Sequence, residues 1–131
     1  MNKTLLIIED NEQNFYMMRF LLEKNGFAVI GAEEGKKGIE MARIHRPLAI
    51  LLDIQLPGMD GYAVAAELKK YSELDKIPII AVTSYAMVGD RENILAAGAT
   101  GYIEKPINPE TFVSEIMEYF PKDTGIIKKT R

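Results

Sequence analysis

Three carboxylates, a hydroxyl and an ammonium in this chain stand where short apolar runs stop. Glu9 and Asp10 follow Leu5–Ile8, and Asp53 follows Leu48–Leu52. Thr83, with Ser84 behind it, follows Ile77–Val82, and Lys105 comes two residues after Gly101–Ile103. Two carboxylates ~4 Å apart repel by roughly 4 kcal/mol at a surface-like effective dielectric, so three that converge call for a cation. Neither His nor Cys stands with them, and hard oxygen donors favour magnesium, with manganese possible, over zinc. Magnesium keeps several waters and often completes its shell with a phosphate oxygen. In that setting Lys105 is a point charge for a phosphoryl group and Thr83 a hydroxyl donor to one of its oxygens. A carboxylate can attack phosphorus and form an aspartyl phosphate. The protein's part in such chemistry is mostly positioning and neutralising charge. Taken singly, each residue means little: an acid pair after a strand is most often a loop or cap pair. The joint arrangement is informative only if a fold brings the strand ends together.

The chain alternates in a way that does so. The apolar runs, with Phe27–Ile30 added to those above, are short and almost continuous, as expected of parallel strands covered on both faces. Between them lie segments of helical period. Phe15, Met18, Leu21 and Leu22 mark the first, Ile39, Met41 and Ala42 the second, and Ala63, Ala66 and Leu68 the third. Ile94, Leu95 and Ala97 suggest the fourth, and Phe112, Val113, Ile116, Met117 and Phe120 the fifth. Asn25-Gly26 and Ala97-Gly98 end helices, and Pro47 and Pro78 precede strands. Asn108-Pro109-Glu110 reads as a helix start, with an N-cap side chain, a proline at the first position and an acid after it. Five strands alternating with five helices predict an α/β fold, a doubly wound five-stranded parallel sheet. Ligands of such sheets bind beyond the strands' carboxyl ends, where the strand order reverses. The second run leads into Gly31-Ala32 and then Glu33 and Glu34, with no comparable convergence. It therefore belongs at the edge of a 2-1-3-4-5 order, away from the crevice.

Composition bounds the rest. A chain of 131 residues, 47% hydrophobic and 27% charged, is one ordinary globular unit. We expect a domain over residues 1–120 and a tail over 121–131. A net charge of −3 argues against nucleic-acid binding, and the Lys128, Lys129, Arg131 cluster reads as a solvated tail. Without cysteine there is no disulfide or thiolate metal site. No apolar stretch reaches the length of a signal-peptide core or a membrane span, so a cytoplasmic setting is expected. His45 reads as a solvated helix-end residue, and the seven methionines as mostly core.

At Leu-Ile-Ile-Glu9-Asp10-Asn11-Glu12, Leu51-Leu52-Asp53-Ile54-Gln55-Leu56-Pro57-Gly58-Met59-Asp60-Gly61, Ala81-Val82-Thr83-Ser84 and Tyr102-Ile103-Glu104-Lys105-Pro106 the chain resembles the receiver domain of bacterial two-component response regulators. The likeness runs from about Lys3 to Phe120, and the pieces in this order are highly specific. It implies Asp53 as phosphoacceptor, phosphorylated by a histidine kinase or phosphotransfer protein, with Glu9 and Asp10 as the acidic pocket. It implies magnesium held through Asp10, Asp53 and the backbone carbonyl of Gln55, phosphoryl contacts from Thr83 and Lys105, and Tyr102 as the switch aromatic. It further implies a cis Lys105–Pro106 peptide and room beside Ser84 for the phosphoryl group. A downstream protein would read the face of the fourth helix, fifth strand and fifth helix. Gln55 and Tyr85 fill positions that tune phosphoryl lifetime in the family. The opening Glu-Asp-Asn-Glu-Gln-Asn is similar to free-standing relay regulators and to receivers of hybrid histidine kinases, and a receiver cut from a larger protein would read identically.

Two rivals fit less well. A magnesium-dependent phosphatase of the haloacid-dehalogenase type needs a second Asp two residues after its nucleophile, where this chain has Gln55, which cannot transfer a proton. A flavodoxin-like cofactor binder needs a neutral, hydroxyl-rich loop after the first strand, where Glu9, Asp10 and Glu12 would repel a flavin phosphate. An adaptor that works without phosphorylation would not need the intact acceptor set.

Overall fold

The computed structural model describes residues 3–56, 58–84 and 88–121. Tyr85 and the expected tail beyond Pro121 lie outside them. Five strands, β1 (Thr4–Ile8), β2 (Ala28–Ala32), β3 (Ala49–Asp53), β4 (Ile79–Thr83) and β5 (Gly101–Glu104), alternate with α1 (Glu12–Lys24), α2 (Gly35–His45), α3 (Gly61–Leu68), α4 (Val88–Ala96) and α5 (Phe112–Met117). The sheet is parallel throughout and ordered β2-β1-β3-β4-β5, with the second strand at the edge.

Alternation along the strands builds two cores. Leu5 and Ile7 of β1 face Met18 and Leu22 of α1 and Phe112 and Ile116 of α5. Leu6 and Ile8 point the other way, to Ala42 of α2, Val64 and Leu68 of α3, and Ile94 of α4. Every residue of β3 and β4 is buried, which is why these runs carry no polar alternation. A central strand buried on both faces makes a stiff mount for whatever side chain ends it, and β3 ends in Asp53.

Local chemistry sets the helix boundaries. Asn11 caps α1, its Oδ1 accepting from the Asn14 amide at 2.8 Å, and Asp60 caps α3 through the Ala63 amide at 2.9 Å. Gly26 (φ 92°) and Gly98 (φ 117°) follow α1 and α4 in a backbone region that L side chains resist.

Some sequence expectations shift. In α3 the inward residues are Val64, Ala65 and Leu68, while Ala63 and Ala66 face solvent. In an alanine-rich helix the apolar stripe has no polar border to locate it. Leu95 is 45% exposed because Ile94 holds the inward position of α4. Regular α5 starts at Phe112, one turn after Asn108. The Asn108 carbonyl already accepts from the Phe112 amide at 2.9 Å, and its side chain caps the turn through the Glu110 amide at 3.0 Å. A short 3₁₀ turn, Ser72–Leu74, precedes β4 and has no periodicity to announce it.

Candidate functional site

The carboxyl ends of β1 and β3 bring Glu9, Asp10 and Asp53 together. Each can place a carboxylate oxygen within 4.8 Å of the others. β1 and β3 are direct neighbours in register, so the residues just past Ile8 and Leu52 must meet. Glu9 and Asp53 are 2% and 3% exposed, whereas Asp10 lies open to solvent. Lys105, beyond β5, reaches back across β4. Its Nζ lies 3.3 Å from Glu9 Oε1 and 3.4 Å from Asp53 Oδ1. Its backbone is tied to β4, since the Lys105 amide donates to the Thr83 carbonyl at 2.9 Å; the Lys105–Pro106 peptide that follows is cis.

The electrostatics of this cluster are unresolved by the protein's own groups. Burial, then the charge of Asp53 and a hydrogen bond with it, push the Glu9 carboxyl up to about 7, against the opposing pull of Lys105 and the Asn11 amide. Asn11 N–H donates to Glu9 Oε2 at 3.2 Å. With the carboxyl ionised, buried Glu9 Oε1 has no hydrogen-bond partner among the described residues, and Lys105 faces it as an ion pair at 3.3 Å. Such an oxygen is costly to leave unmatched. A hard divalent cation with carboxylate ligands would relieve both the orphaned oxygen and the crowding, so the donor set fits the expected metal.

The loop after β3 is fixed from behind. Gln55 N–H donates to Asp53 Oδ1 at 2.9 Å, and Ser84 Oγ donates to Gln55 Oε1 at 2.9 Å, which ties the β3 loop to the end of β4. Gly61 N–H donates to the Ile54 carbonyl at 2.9 Å. A Cβ at Gly61 would run into Ile54 Cα and sit 2.8 Å from the Asp53 carbonyl oxygen. Only glycine lets α3 start this close to the residue that follows the acid.

The remaining expected residues divide. Thr83 is fully buried at the end of β4, next to β3, whose Asp53 is in register with Val82. Tyr102 stands outside the carboxylate cluster. Its half-buried ring lies on the α4 side, with the Arg91 guanidinium 5.1 Å from its centroid. Tyr102 pairs with Ala81 and Glu104 with Thr83, so Thr83 and Tyr102 are two residues apart along the β4–β5 ladder. Sequence reasoning missed the Asn11 amide on Glu9 and the close approach at Gly61. The first is a backbone contact without a side-chain signal. The second was signalled only by a glycine directly after a capping Asp.

The sequence profile of the family described as "Response regulator receiver domain" matches residues 5–117. The chain is 44% identical over 119 residues to the polar-differentiation response regulator DivK of Brucella anthropi, covering 91% of this chain and 97% of that one. Among solved structures it is similar to the receiver domain of sensor histidine kinase PA1611 from Pseudomonas aeruginosa, whose active-site cleft holds a coordinated magnesium ion. That likeness has a TM-score of 0.83 and 32% identity over 91% of this chain and 98% of the other. The Vibrio cholerae chemotaxis protein CheY4 matches with a TM-score of 0.87 and 25% identity, over 92% of this chain and all of its own.

Proposed function

The chain belongs to the response regulator receiver family of two-component signalling, and from that premise we propose that Asp53 is its phosphoacceptor and that phosphorylation alters the face around Tyr102. The observation that supports this most is the placement of Asp53: buried at the end of a fully buried strand, inside a carboxylate cluster, with an ammonium 3.4 Å away. Glu9, Asp10 and Asp53, with the Gln55 carbonyl, would hold magnesium or manganese. When bound, the cation offsets the carboxylate charge and that of the phosphoryl oxygens. Asp53 Oδ1 is engaged by the Gln55 amide and Lys105, which leaves Oδ2 to attack phosphorus. In the transfer the new bond joins this oxygen to phosphorus, the phosphorus–nitrogen bond of a phosphohistidine donor breaks, and the freed imidazole takes a proton. Lys105 and Thr83 steady the phosphoryl oxygens, so the domain catalyses its own phosphorylation and dephosphorylation.

The donor in this reading is a histidine kinase or histidine phosphotransfer protein, in a cytoplasmic setting. The reader is a protein that docks on α4, β5 and α5, including Arg91, Tyr102 and Glu104. Residues 1–120 form the working unit. Phe120, 2% exposed and edge-on to Phe27 at 5.6 Å, closes its core. Among the described residues no helix is long and apolar enough to cross a membrane. The test is intact-mass spectrometry after incubation with acetyl phosphate, with and without magnesium. One base-labile phosphoryl adduct is expected, dependent on magnesium and absent from Asp53→Ala. An adduct that persists in that variant overturns the assignment.

A further inference from the structure

The edge of the sheet is built unlike its centre. Among the described residues β2 pairs only with β1. The Ala28 amide donates to the Lys3 carbonyl and the Ala32 carbonyl accepts from Glu9, so in a parallel ladder Ala28, Ile30 and Ala32 turn their backbone groups inward. Val29 and Gly31 then present theirs to the outside. Proteins usually blunt such an edge with lysine, proline or a bulge. Here the strand reads Ala-Val-Ile-Gly-Ala, and its register with β1 runs without a slip from Thr4↔Ala28 to Ile8↔Ala32.

Beside this edge α1 leaves apolar surface uncovered. Tyr16 is 70% and Phe20 54% exposed, one helical turn apart on the same stripe. Tyr16 and Arg19 overhang an open cavity of about 730 Å³ that is walled by Gly31, Ala32 and Glu33 and reaches Glu9 and Asp10 of the carboxylate cluster. The charges are sorted along the edge as well. Glu12, Glu33 and Glu34 lie at the carboxyl end of β2 and Lys3 and Lys24 at its amino end, all exposed, while Arg19 between them is paired with Glu23 at 3.0 Å.

We infer that the β2 edge is a self-association surface, on which a second copy of this chain docks its own β2 antiparallel across a two-fold axis. The axis would pass at Ile30. In that register Val29 exchanges backbone hydrogen bonds with Gly31 of the second copy and Gly31 with its Val29, which matches the groups left outward. The two Ile30 side chains meet as a close pair. Antiparallel docking sets the acidic end of each edge against the basic end of the other, and α1 against its symmetry mate, covering Tyr16 and Phe20. A parallel pairing would instead stack acid on acid. This inference is independent of the role given to Asp53.

Sedimentation velocity of the full chain from about 10 µM to about 1 mM covers the affinity range expected of a modest interface. The mass should rise from 14.7 kDa towards twice that value, and about 0.5 M salt should oppose the rise. Ile30→Lys and Ile30→Glu should each stay monomeric, because like charges meet on the axis, and an equimolar mixture should recover the dimer. Should these variants not fold, hydrogen exchange on the unsubstituted protein decides. The Val29 and Gly31 amides should slow at least about tenfold between dilute and concentrated samples. A monomer at every concentration overturns the inference. So does a dimer that leaves those two amides unprotected, or one that forms equally well with Ile30→Lys alone.

Discussion

The carboxylate cluster and the Tyr102 face lie at the same end of one sheet, yet they are held in opposite ways. Asp53 is locked by a strand buried on both sides, by the Gln55 amide, and by a helix start that only Gly61 permits. Tyr102 is half-buried on a neighbouring strand, with a guanidinium 5.1 Å from its ring. The first region stores electrostatic conflict in a fixed frame. The second offers weak contacts that a modest change in free energy can rearrange. A phosphoryl group bound in the fixed region can therefore be read out in the loose one, provided one residue touches both. Thr83, buried at the end of β4, the strand between β3 and β5, is the residue to which the proposed reading gives this role.

The largest effect should come from easing the conflict in the fixed region. Asp10→Asn keeps the shape of a ligand and removes its charge. Magnesium affinity should fall at least about tenfold, or 1.4 kcal/mol, and the phosphorylation rate with it. Titration of the metal, followed by protein fluorescence or NMR, checks the first, and adduct formation by intact mass the second. Undiminished phosphorylation of the unsubstituted protein in excess EDTA would remove the metal from the account.

The raised Glu9 carboxyl sharpens the same point through pH. An acid raised from 4.5 to about 7 binds its proton more tightly in the folded protein. Its contribution to the stability of the cation-free protein is therefore present below pH 4.5 and lost as pH rises through about 7. A cation must displace that proton, so magnesium affinity should drop about tenfold between pH 8 and pH 6. By the same sign, the rise in melting temperature on adding magnesium should be larger at pH 8 than at pH 5. Calorimetric titration in two buffers of different ionisation enthalpy measures the proton release directly. A pH-independent affinity, with no proton released, would mean that Glu9 stays ionised beside Asp53.

The fixed region was also the more legible of the two in the sequence. Continuous apolar runs announce parallel strands, and a polar residue that ends such a run must lie at the sheet's end. Glu9, Asp53 and Lys105 could thus be placed together before any coordinates, and the lack of a matching group after Ala32 put the second strand at the edge. The loose region gave less. Leu95 of α4 looks apolar but faces solvent, as do Ala63 and Ala66 of α3, because small or isolated apolar residues do not fix the rotation of a helix. The position of Arg91 over Tyr102 joins α4 to β5 through side chains alone, and no local pattern encodes such a contact. The approach of Gly61 to Ile54 is likewise tertiary, and only the glycine itself hints at it.

Thr83→Ala tests the link between the regions. The variant should still be phosphorylated, since Asp53 and the carboxylates remain. Its response at the face should shrink several-fold, because one of two or three charge-assisted contacts is gone, each worth roughly 1.5–3 kcal/mol. Beryllofluoride with magnesium, an aspartyl-phosphate mimic, should move the amide resonances of β5 and α4 in the unsubstituted protein far more than in the variant. Equal shifts in both proteins would take Thr83 out of the path.

The smallest expected effect lies within the loose region itself. A cation over an aromatic face at a partly exposed site contributes about 0.5–1 kcal/mol. If Arg91 holds the Tyr102 ring outward in the unphosphorylated protein, Arg91→Ala should raise the ratio of inward to outward ring about two- to fivefold without any phosphoryl group. That is well short of the roughly 3–5 kcal/mol needed to convert a mostly inactive protein into a mostly active one, so the variant should still respond to beryllofluoride. Its amide shifts in β5 should begin displaced along the line that joins the free and beryllofluoride-bound positions of the unsubstituted protein. Arg91→Lys, which keeps a cation on a shorter reach, should fall between the two. Displacement off that line would show that Arg91 only packs against the ring. No displacement at all would mean that the ring is held by the burial of Tyr102 against the α4 side, and the loose region would then be stiffer than its contacts suggest.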